Sequence, residues 1–335
     1  MARESKLNDN TLDWLLESDD RAMQYLAMRD LTGGDLQTLM DLQEKAHAEG
    51  PIAVILSNMQ KEGYWSQPGA GYNPKYTGTV WSIISLAQIG ASVEMDKRIA
   101  AAVSYLLEQA LTKDGQFTMS GAPSGTIDCL QGNLCASLLD LGCEIPALYK
   151  AFEWMARSVT GEGVAPMTEK TANLRYYAGK CGPLFNCGGT GKQPCAWGAV
   201  KVMFAFSKLP LSKRTPLINR AIQAGVEFLF STDPAKADYP CGQTAKPSGN
   251  WWKFGFPVFY VTDLLQNVEA LVGLGYGADR RLSNAINIIR EKSDPQGRWL
   301  LEYDYNGKTW VDFGPKGQPN KWVTLRALRV LKAVK

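Results

Sequence analysis

Three of the seven cysteines in this chain lie within fifteen residues of one another, in the stretch CGPLFNCGGTGKQPCAWGA that covers residues 181–199. Thiolates are favoured ligands of tetrahedral zinc, and the glycines around Cys181, Cys187 and Cys195 give the backbone freedom to bring the three thiols together. Their spacing is not that of a zinc finger or ribbon, so buried packing and disulfide pairing stay open as alternatives. The first question is therefore whether these cysteines bind a metal.

Composition limits the classes of protein that fit. The chain has 335 residues, of which 45% are hydrophobic and 21% are charged, as is usual for a globular protein with a large core. A net charge of +3 without a basic run argues against a nucleic acid partner. The N-terminal segment has no apolar signal-peptide region, and no stretch of about eighteen apolar residues predicts a membrane span. We expect a cytoplasmic protein whose cysteines are reduced.

Four apolar segments with similar endings predict a repeated helical hairpin. The endings read SLAQIG, SLLDLG, AFSKLP and ALVGLG, and they close at Gly90, Gly142, Pro210 and Gly275. Each segment is apolar on most faces, as expected of an inner helix that is buried on most faces. A more polar segment follows each one. These polar segments predict outer helices at about 96–110, 146–157, 213–231 and 280–292.

Two further inner helices are predicted at the ends of the chain. NKWVTLRALRVLKAVK at the C terminus supplies a fifth, and SDDRAMQYLAMRDLTG near the N terminus supplies a sixth. Ser18 is the predicted N-cap of the sixth helix, and helix capping and the helix dipole explain the acidic pair Asp19 and Asp20. Glycine- and proline-rich insertions at about 159–193 and 233–259 interrupt the repeat, and long insertions on a regular scaffold often carry function.

Short motifs with a turn glycine followed by an aromatic residue separate the helix pairs. They read KEGYW at 61–65, KDGQF at 113–117 and PQGRW at 295–299. Together with the repeated hairpins, these motifs resemble the superfamily of terpenoid cyclases and protein prenyltransferase β subunits, over roughly residues 60–335. The resemblance implies an all-α fold, an (α/α)6 barrel that closes into one toroidal domain spanning 1–335. It also implies a ligand cavity at the end where the inner helices begin.

A zinc site is predicted at that end of the barrel. Two of the cysteines begin neighbouring inner helices, and two lie in the loop before the second of these helices. The predicted zinc ligands are Cys129, Cys181, Cys187 and Cys195. Cys241 or Asp128 is an alternative to one of the four. Cys135 and Cys143 lie within and at the end of an apolar helix, and we expect them to pack in the core.

Acidic and proton-donating residues near the starts of inner helices are the catalytic candidates. A zinc with three protein ligands leaves a position for water, whose pKa the metal lowers to about 7. Asp263 or Asp128 is then the predicted general base, although helix capping alone could explain Asp263. Tyr76 or Lys201 is predicted to stabilise an oxyanion. His47 lies far from the cysteines in sequence and is expected at the surface.

Aromatic side chains are expected to line an apolar cavity. The run NWWKFGFPVFY at 250–260 leads directly into the segment that begins near Asp263. The predicted substrate-binding residues are Trp81, Trp197, Trp251, Trp252, Phe256 and Tyr260. Such a surface can stabilise a carbocation or hold an apolar ligand, and ordinary packing of a loop over the barrel is the alternative.

The leading functional hypothesis is a zinc-dependent hydrolase that acts on an apolar small molecule, an ester or phosphoester, in the central cavity. Thiolate ligands weaken the Lewis acidity of zinc, which counts against it. The resemblance implies a terpenoid cyclase or a prenyl-transferring enzyme as the second hypothesis. However, the Asp-x-Asp-Asp motif of the cyclases is absent from this sequence, and no histidine can easily join the metal site as in the prenyltransferases. The third hypothesis is a toroid that binds a ligand without catalysis and has a structural zinc.

Overall fold

The computed structural model describes residues 9–240 and 248–334, and the fold of these residues is mostly helical, as predicted. The described residues form thirteen α-helices, which are α1 Asp9–Leu15, α2 Arg21–Ala27, α3 Leu36–Ala48, α4 Gly50–Ser57, α5 Thr79–Gln88, α6 Lys97–Ala110, α7 Asp128–Asp140, α8 Pro146–Thr160, α9 Ala196–Lys208, α10 Pro216–Leu229, α11 Leu264–Leu271, α12 Ser283–Glu291 and α13 Lys321–Ala333. One short antiparallel hairpin pairs β1 (Asn186–Cys187) with β2 (Gln193–Pro194). None of these helices combines the length and the apolar character that a membrane span requires.

The helices alternate between inner and outer positions. The inner helices α5, α7, α9, α11 and α13 are buried over most of their length. Consecutive members of this series contact one another, and α13 also contacts α2. The outer helices α6, α8, α10 and α12 each pack against an inner helix. Cys135 within α7 and Cys143 just after it are buried in the hydrophobic core, as expected.

Each of the three glycine and aromatic motifs connects a helix to the inner helix that follows it: α4 to α5, α6 to α7, and α12 to α13. The indole N–H of Trp65 donates to the carbonyl of Ile55, and that of Trp299 donates to the carbonyl of Ile289, both at 2.7 Å. Both carbonyls lie near the end of the preceding helix, α4 or α12. The backbone N–H groups of the motif aromatics donate to side chains on the next inner helix, in the pairs Trp65 to Thr79, Phe117 to Gln131 and Trp299 to Thr324. The repeat in the sequence is therefore a repeat of hydrogen bonds.

Glycine is required in these motifs for both its conformation and its small size. Gly63 and Gly115 have φ angles of +93° and +91°, which side chains disfavour. A Cβ at Gly63 would lie 2.9 Å from the carbonyl oxygen of Ala101, and one at Gly115 would lie 2.5 Å from that of Lys150. These carbonyls belong to the outer helices α6 and α8. The glycines thus let each turn pack directly on the next outer helix.

Two details of the N-terminal part differ from the prediction. Asp20 caps α2 in place of Ser18, because the Asp20 carboxylate accepts a hydrogen bond from the N–H of Met23 at 3.1 Å. The surface prediction for His47 is wrong, since its side chain is buried. The ring is held at both nitrogens: Nδ1 lies 2.7 Å from the carbonyl oxygen of Gln43, and Nε2 accepts from the N–H of Ser92 at 3.1 Å.

Candidate functional site

The β1–β2 hairpin places two predicted metal ligands side by side. Cys187 pairs with Gln193 across the hairpin, so Cys195, two residues beyond Gln193, lies on the same face as Cys187. The neighbouring Cys195 thiol, together with the N–H groups of Gly189 and Thr190, lowers the pKa of Cys187 to about 6. The same contact raises the pKa of Cys195. The thiolate form of the half-buried Cys187 is therefore favoured, and so is the protonated form of Cys195.

A buried acid lies beside this pair of thiols. Asp128 is the first residue of α7, and a Cβ added at Gly198 of α9 would lie 3.3 Å from Asp128 Cβ and 3.8 Å from Cys195 Cβ. Asp128 Oδ1 accepts from Ser158 Oγ at 3.4 Å, whereas Oδ2 is buried and has no hydrogen-bond partner among the described residues. Burial raises the pKa of Asp128 well above its usual range, and the nearby charge of Cys187 adds to this. Its protonated form is favoured as a result.

The four predicted zinc ligands approach one another in the fold. Cys129 interacts electrostatically with Cys187 and Cys195, and Cys181 interacts with Cys187. Burial raises the pKa of Cys129 to about 11 and also raises that of Cys181. In the part of the chain that the structure describes, however, no group of three or more Cys, His, Asp or Glu side chains is placed to hold a metal ion. Cys241, the alternative ligand, lies outside the described residues. We refer to Cys129, Cys181, Cys187 and Cys195 as the thiol cluster.

Four of the predicted site residues form an aromatic cluster. The ring centroids lie 5.6 Å apart for Tyr76 and Trp81, 6.1 Å for Trp81 and Tyr260, and 6.4 Å for Trp197 and Tyr260. The hydroxyls of Tyr76 and Tyr260 are 3.2 Å apart. The predicted oxyanion donor Tyr76 therefore contacts another tyrosine. Three of the four rings are half-buried and present apolar surface to solvent.

Tyr72 joins the aromatic cluster to the thiol cluster. Its ring lies 5.0 Å from that of Trp81. Burial, and then the charge of Cys129, raises the pKa of Tyr72 to about 12. Tyr72, which sequence reasoning did not select, therefore belongs to the aromatic cluster and places it next to Cys129.

The other three predicted aromatic residues lie apart from this cluster. The indole N–H of Trp251 donates to the carbonyl of Pro234 at 2.9 Å, and that of Trp252 donates to the carbonyl of Ala235 at 2.8 Å. Both rings thus pack within the insertion that contains them. Phe256 stacks on Trp322 of α13, with ring centroids 4.8 Å apart.

Asp263 is fully engaged in structural contacts. It caps α11, because Oδ1 accepts from the N–H of Gln266 at 2.7 Å. Arg326 of α13 donates to both carboxylate oxygens at 3.0 Å, and the N–H of Gly255 donates to Oδ2 at 3.2 Å. Glu269 binds the same guanidinium at 2.8 Å. Each oxygen of Asp263 already accepts two hydrogen bonds, which leaves no free position toward a substrate.

Lys201 lies in the interior, between the two ends of the inner helices. Its side chain is fully buried, and Nζ donates to Gln266 Oε1 at 2.5 Å. Burial lowers the pKa of Lys201 to about 7, although the charges of Asp263 and Cys129 act in the opposite direction. The amino group of Lys201 therefore binds Gln266 in the interior and is not exposed to solvent beside the thiol cluster.

A cavity of about 460 Å³ lies toward the C-terminal ends of the inner helices. Residues from α2, α5, α7, α9, α11 and α13 all line it, together with Phe256 and Val258 of the aromatic run. Of the predicted site residues, all of which the structure describes, Phe256 lines this cavity and the others do not. The resemblance implied a cavity where the inner helices begin. This cavity lies where they end, and charged residues such as Arg29, Asp30 and Lys208 line it along with apolar ones.

Sequence reasoning missed the polar residues that the inner helices direct into the interior. Asn133, Gln266 and Arg326 line the cavity although they lie within apolar segments. An isolated polar residue in a helix that is apolar on most faces was the available signal. Such a residue must find a buried partner, because an unpaired polar group in the core is unfavourable.

No protein family model matches the chain, and none of the curated proteins searched shows significant sequence similarity to it.

Proposed function

We propose that the protein is a hydrolase of small esters that carry an apolar group, with Cys187 as its nucleophile. The observation that supports the proposal best is the contact between Cys187 and Cys195 beside the buried carboxyl group of Asp128. The half-buried rings of the aromatic cluster offer apolar surface for the rest of the substrate, next to the thiol cluster. The site is thus the end of the barrel where the inner helices begin.

The chemistry assigned to these residues is acyl transfer through a thioester. The sulfur of Cys187 attacks the ester carbonyl, the carbon–oxygen bond breaks, and the departing alkoxide takes a proton from the Asp128 carboxyl group. A water molecule then attacks the thioester while the Asp128 carboxylate takes its proton. Cys187 leaves as a thiolate, and the products are a carboxylic acid and an alcohol.

We infer further that α2 acts as the sixth inner helix and closes α5, α7, α9, α11 and α13 into a toroid. Two observations support this inference. Consecutive inner helices contact one another, and residues from all six line the same cavity. The thiol cluster and the cavity then lie at opposite ends of one barrel.

A zinc-dependent hydrolase is the second candidate, and the orphaned Oδ2 of Asp128 favours it. Four thiols and this buried oxygen are a donor set that suits zinc, with Asp128 available to orient a metal-bound group. The described arrangement does not bring three of these donors into position for one metal ion, so the metal would require the cysteines to move. Zinc, when bound, would lower the pKa of a coordinated water molecule.

Activity on 4-nitrophenyl acetate, butyrate and hexanoate tests the proposal. We expect wild-type protein to hydrolyse these esters, and Cys187→Ala to lose about 100-fold or more of the rate. Asp128→Asn should also lower the rate about 100-fold, because it cannot transfer the proton. Cys143→Ala is the matched control, since this thiol lies in the core away from the thiol cluster. Equal rates in wild type and Cys187→Ala would refute the nucleophile.

Elemental analysis separates the two candidates. About one zinc per chain, with activity lost on chelation and restored by zinc, would favour the zinc hydrolase. Full activity in metal-free protein would favour the thiolate nucleophile. Bound zinc without any ester hydrolysis would instead support the third hypothesis, a binding protein with a structural metal.

A further inference from the structure

The cavity at the C-terminal ends of the inner helices takes no part in the proposed hydrolysis. Its volume of about 460 Å³ lies within the range of about 300–1,000 Å³ that is typical of small-molecule sites. Two nearly buried amide side chains, Gln266 and Asn133, line it, and each has a polar group without a hydrogen-bond partner among the described residues. These two groups define the chemistry of a ligand.

Gln266 offers a hydrogen-bond donor whose direction is fixed. Its Oε1 accepts from Lys201 Nζ at 2.5 Å and from Thr262 Oγ1 at 2.8 Å. The oxygen of Gln266 thus faces two donors, the Lys201 amino group and the Thr262 hydroxyl. The Nε2 amide group then has no hydrogen-bond partner among the described residues, and the side chain, which lines the cavity, is 4% exposed.

Asn133 offers the complementary acceptor. Its Nδ2 donates to the carbonyl of Phe259 at 3.1 Å, which leaves Oδ1 without a partner in the described part of the chain. The residue is 6% exposed and lines the same cavity. Asn133 lies on α7 and Gln266 on α11, and both helices contact α9. One donor and one acceptor therefore border the cavity from helices on either side of α9.

Apolar groups and paired charges complete the lining. Phe256, Val258 and Ile84 provide apolar surface next to the two amides. The cations near the mouth already have acidic partners: Arg29 and Arg329 both bind Asp30, and Lys208 binds Asp140 at 2.8 Å. Arg326, which also lines the cavity, binds both Asp263 and Glu269, so these four cations face four acids. Because the charges are compensated within the protein, a neutral ligand is favoured over an ion.

We propose that this cavity binds a small neutral molecule that carries an amide edge, a C=O beside an N–H, on a flat apolar body. The ligand C=O accepts from Gln266 Nε2, and the ligand N–H donates to Asn133 Oδ1. The flat body packs against Phe256 and Val258. Primary carboxamides and ring lactams share this edge.

Binding of three small molecules to the full-length wild-type protein tests the proposal. Benzamide presents a primary carboxamide, 2-pyridone presents a ring lactam, and acetophenone has the shape of benzamide but a methyl group in place of the NH₂. Calorimetry and ligand-observed NMR should show benzamide or 2-pyridone bound at one site with a Kd on the order of 1 mM. Whichever of these two molecules binds more tightly shows whether the cavity prefers a primary carboxamide or a ring lactam. Acetophenone should bind about tenfold more weakly, because it leaves Asn133 Oδ1 unpaired.

Two variants locate the site. Gln266→Glu keeps an oxygen for Lys201 and Thr262 but replaces the donor by an acceptor, so it should weaken benzamide binding about tenfold. Ala136→Phe fills the cavity and should abolish binding, whereas Ala224→Phe on the outer helix α10 should leave it unchanged. Ala136→Phe also decides the location if Gln266→Glu does not fold. Equal affinities for benzamide and acetophenone, no binding of either amide, or unchanged binding to Ala136→Phe would overturn the proposal.

Discussion

Replacing Arg326 by methionine tests the buried ion-pair network directly. The Arg326 side chain is 6% exposed and bridges Asp263 on one side and Glu269 on the other. Methionine preserves much of the apolar volume but leaves both carboxylates without their cation. Removing one partner of a buried ion pair typically costs about 3–5 kcal/mol, because the remaining charge stays desolvated and unpaired.

This loss of stability converts to a measurable change in melting temperature. For a chain of 335 residues, an unfolding entropy of about 2.1 cal/mol/K per residue gives about 0.7 kcal/mol/K. A loss of about 4 kcal/mol then lowers the melting temperature by about 6 °C. Differential scanning calorimetry measures this change at a single pH and salt concentration.

Two further variants control this measurement. Arg220→Met removes an exposed ion pair to Glu162 and should leave the melting temperature nearly unchanged, because solvent screens such pairs. The melting temperature of Asp263→Asn should fall between those of Arg326→Met and Arg220→Met, because the amide oxygen can still cap α11 and Arg326 still binds Glu269. A melting temperature of Arg326→Met within about 1 °C of wild type would refute the view that this network stabilises the fold.

Three other predictions follow from the thiol pair and from the contact between α7 and α9. Alkylation by iodoacetamide should show a phase with a midpoint near pH 6 that Cys187→Ser removes, and a midpoint above pH 8 for that phase would contradict the assignment. The pKa of Lys201 is about 7 in the folded chain and about 10.5 in the unfolded chain. Between pH 7 and pH 10.5 the unfolded chain therefore holds more protons, so the free energy of unfolding of the wild type should rise with pH over this range. Urea unfolding at pH 7 and pH 9 should show a gain of about 2 kcal/mol that Lys201→Met lacks. Gly132→Ala should lower the free energy of unfolding by about 1–3 kcal/mol in the same assay, because its Cβ would lie 2.4 Å from the Lys201 carbonyl carbon. Gly249→Ala, which has open space around it, should leave the free energy of unfolding unchanged.

The alternation of inner and outer helices was predictable from the sequence because the degree of burial of a helix determines how many charged residues it contains. A helix covered on most faces, such as α7, tolerates few charges, and a helix with one exposed face, such as α10, shows them at helical spacing. The glycine and aromatic motifs were also visible as a repeat. The role of these motifs was not predictable, because Trp65 and Trp299 form hydrogen bonds with residues that come close to them only in the folded chain.

The candidate site was predictable in part. The approach of Cys129 to the hairpin cysteines follows from their positions at the starts of neighbouring inner helices. The proximity of Cys187 to Cys195 depends on the register of a two-residue hairpin, which the sequence does not specify. Asp263 was selected for its position at a helix start, but its partner Arg326 lies 63 residues away. Pairing over such a distance cannot be deduced from spacing.

The segment from Phe256 to Phe259 has a consequence for how the two proposed sites behave. On one side Phe256 and Val258 border the cavity, and on the other the Phe259 ring packs on Tyr76 and Trp81 with centroids 5.6 and 5.3 Å away. Gln88 fixes this segment by hydrogen bonds to both the N–H and the carbonyl of Val258. The segment therefore lies between the cavity and the aromatic cluster. An amide bound in the cavity and an ester bound at the aromatic cluster should occupy the protein together, and the amide should not compete with the ester in steady-state kinetics.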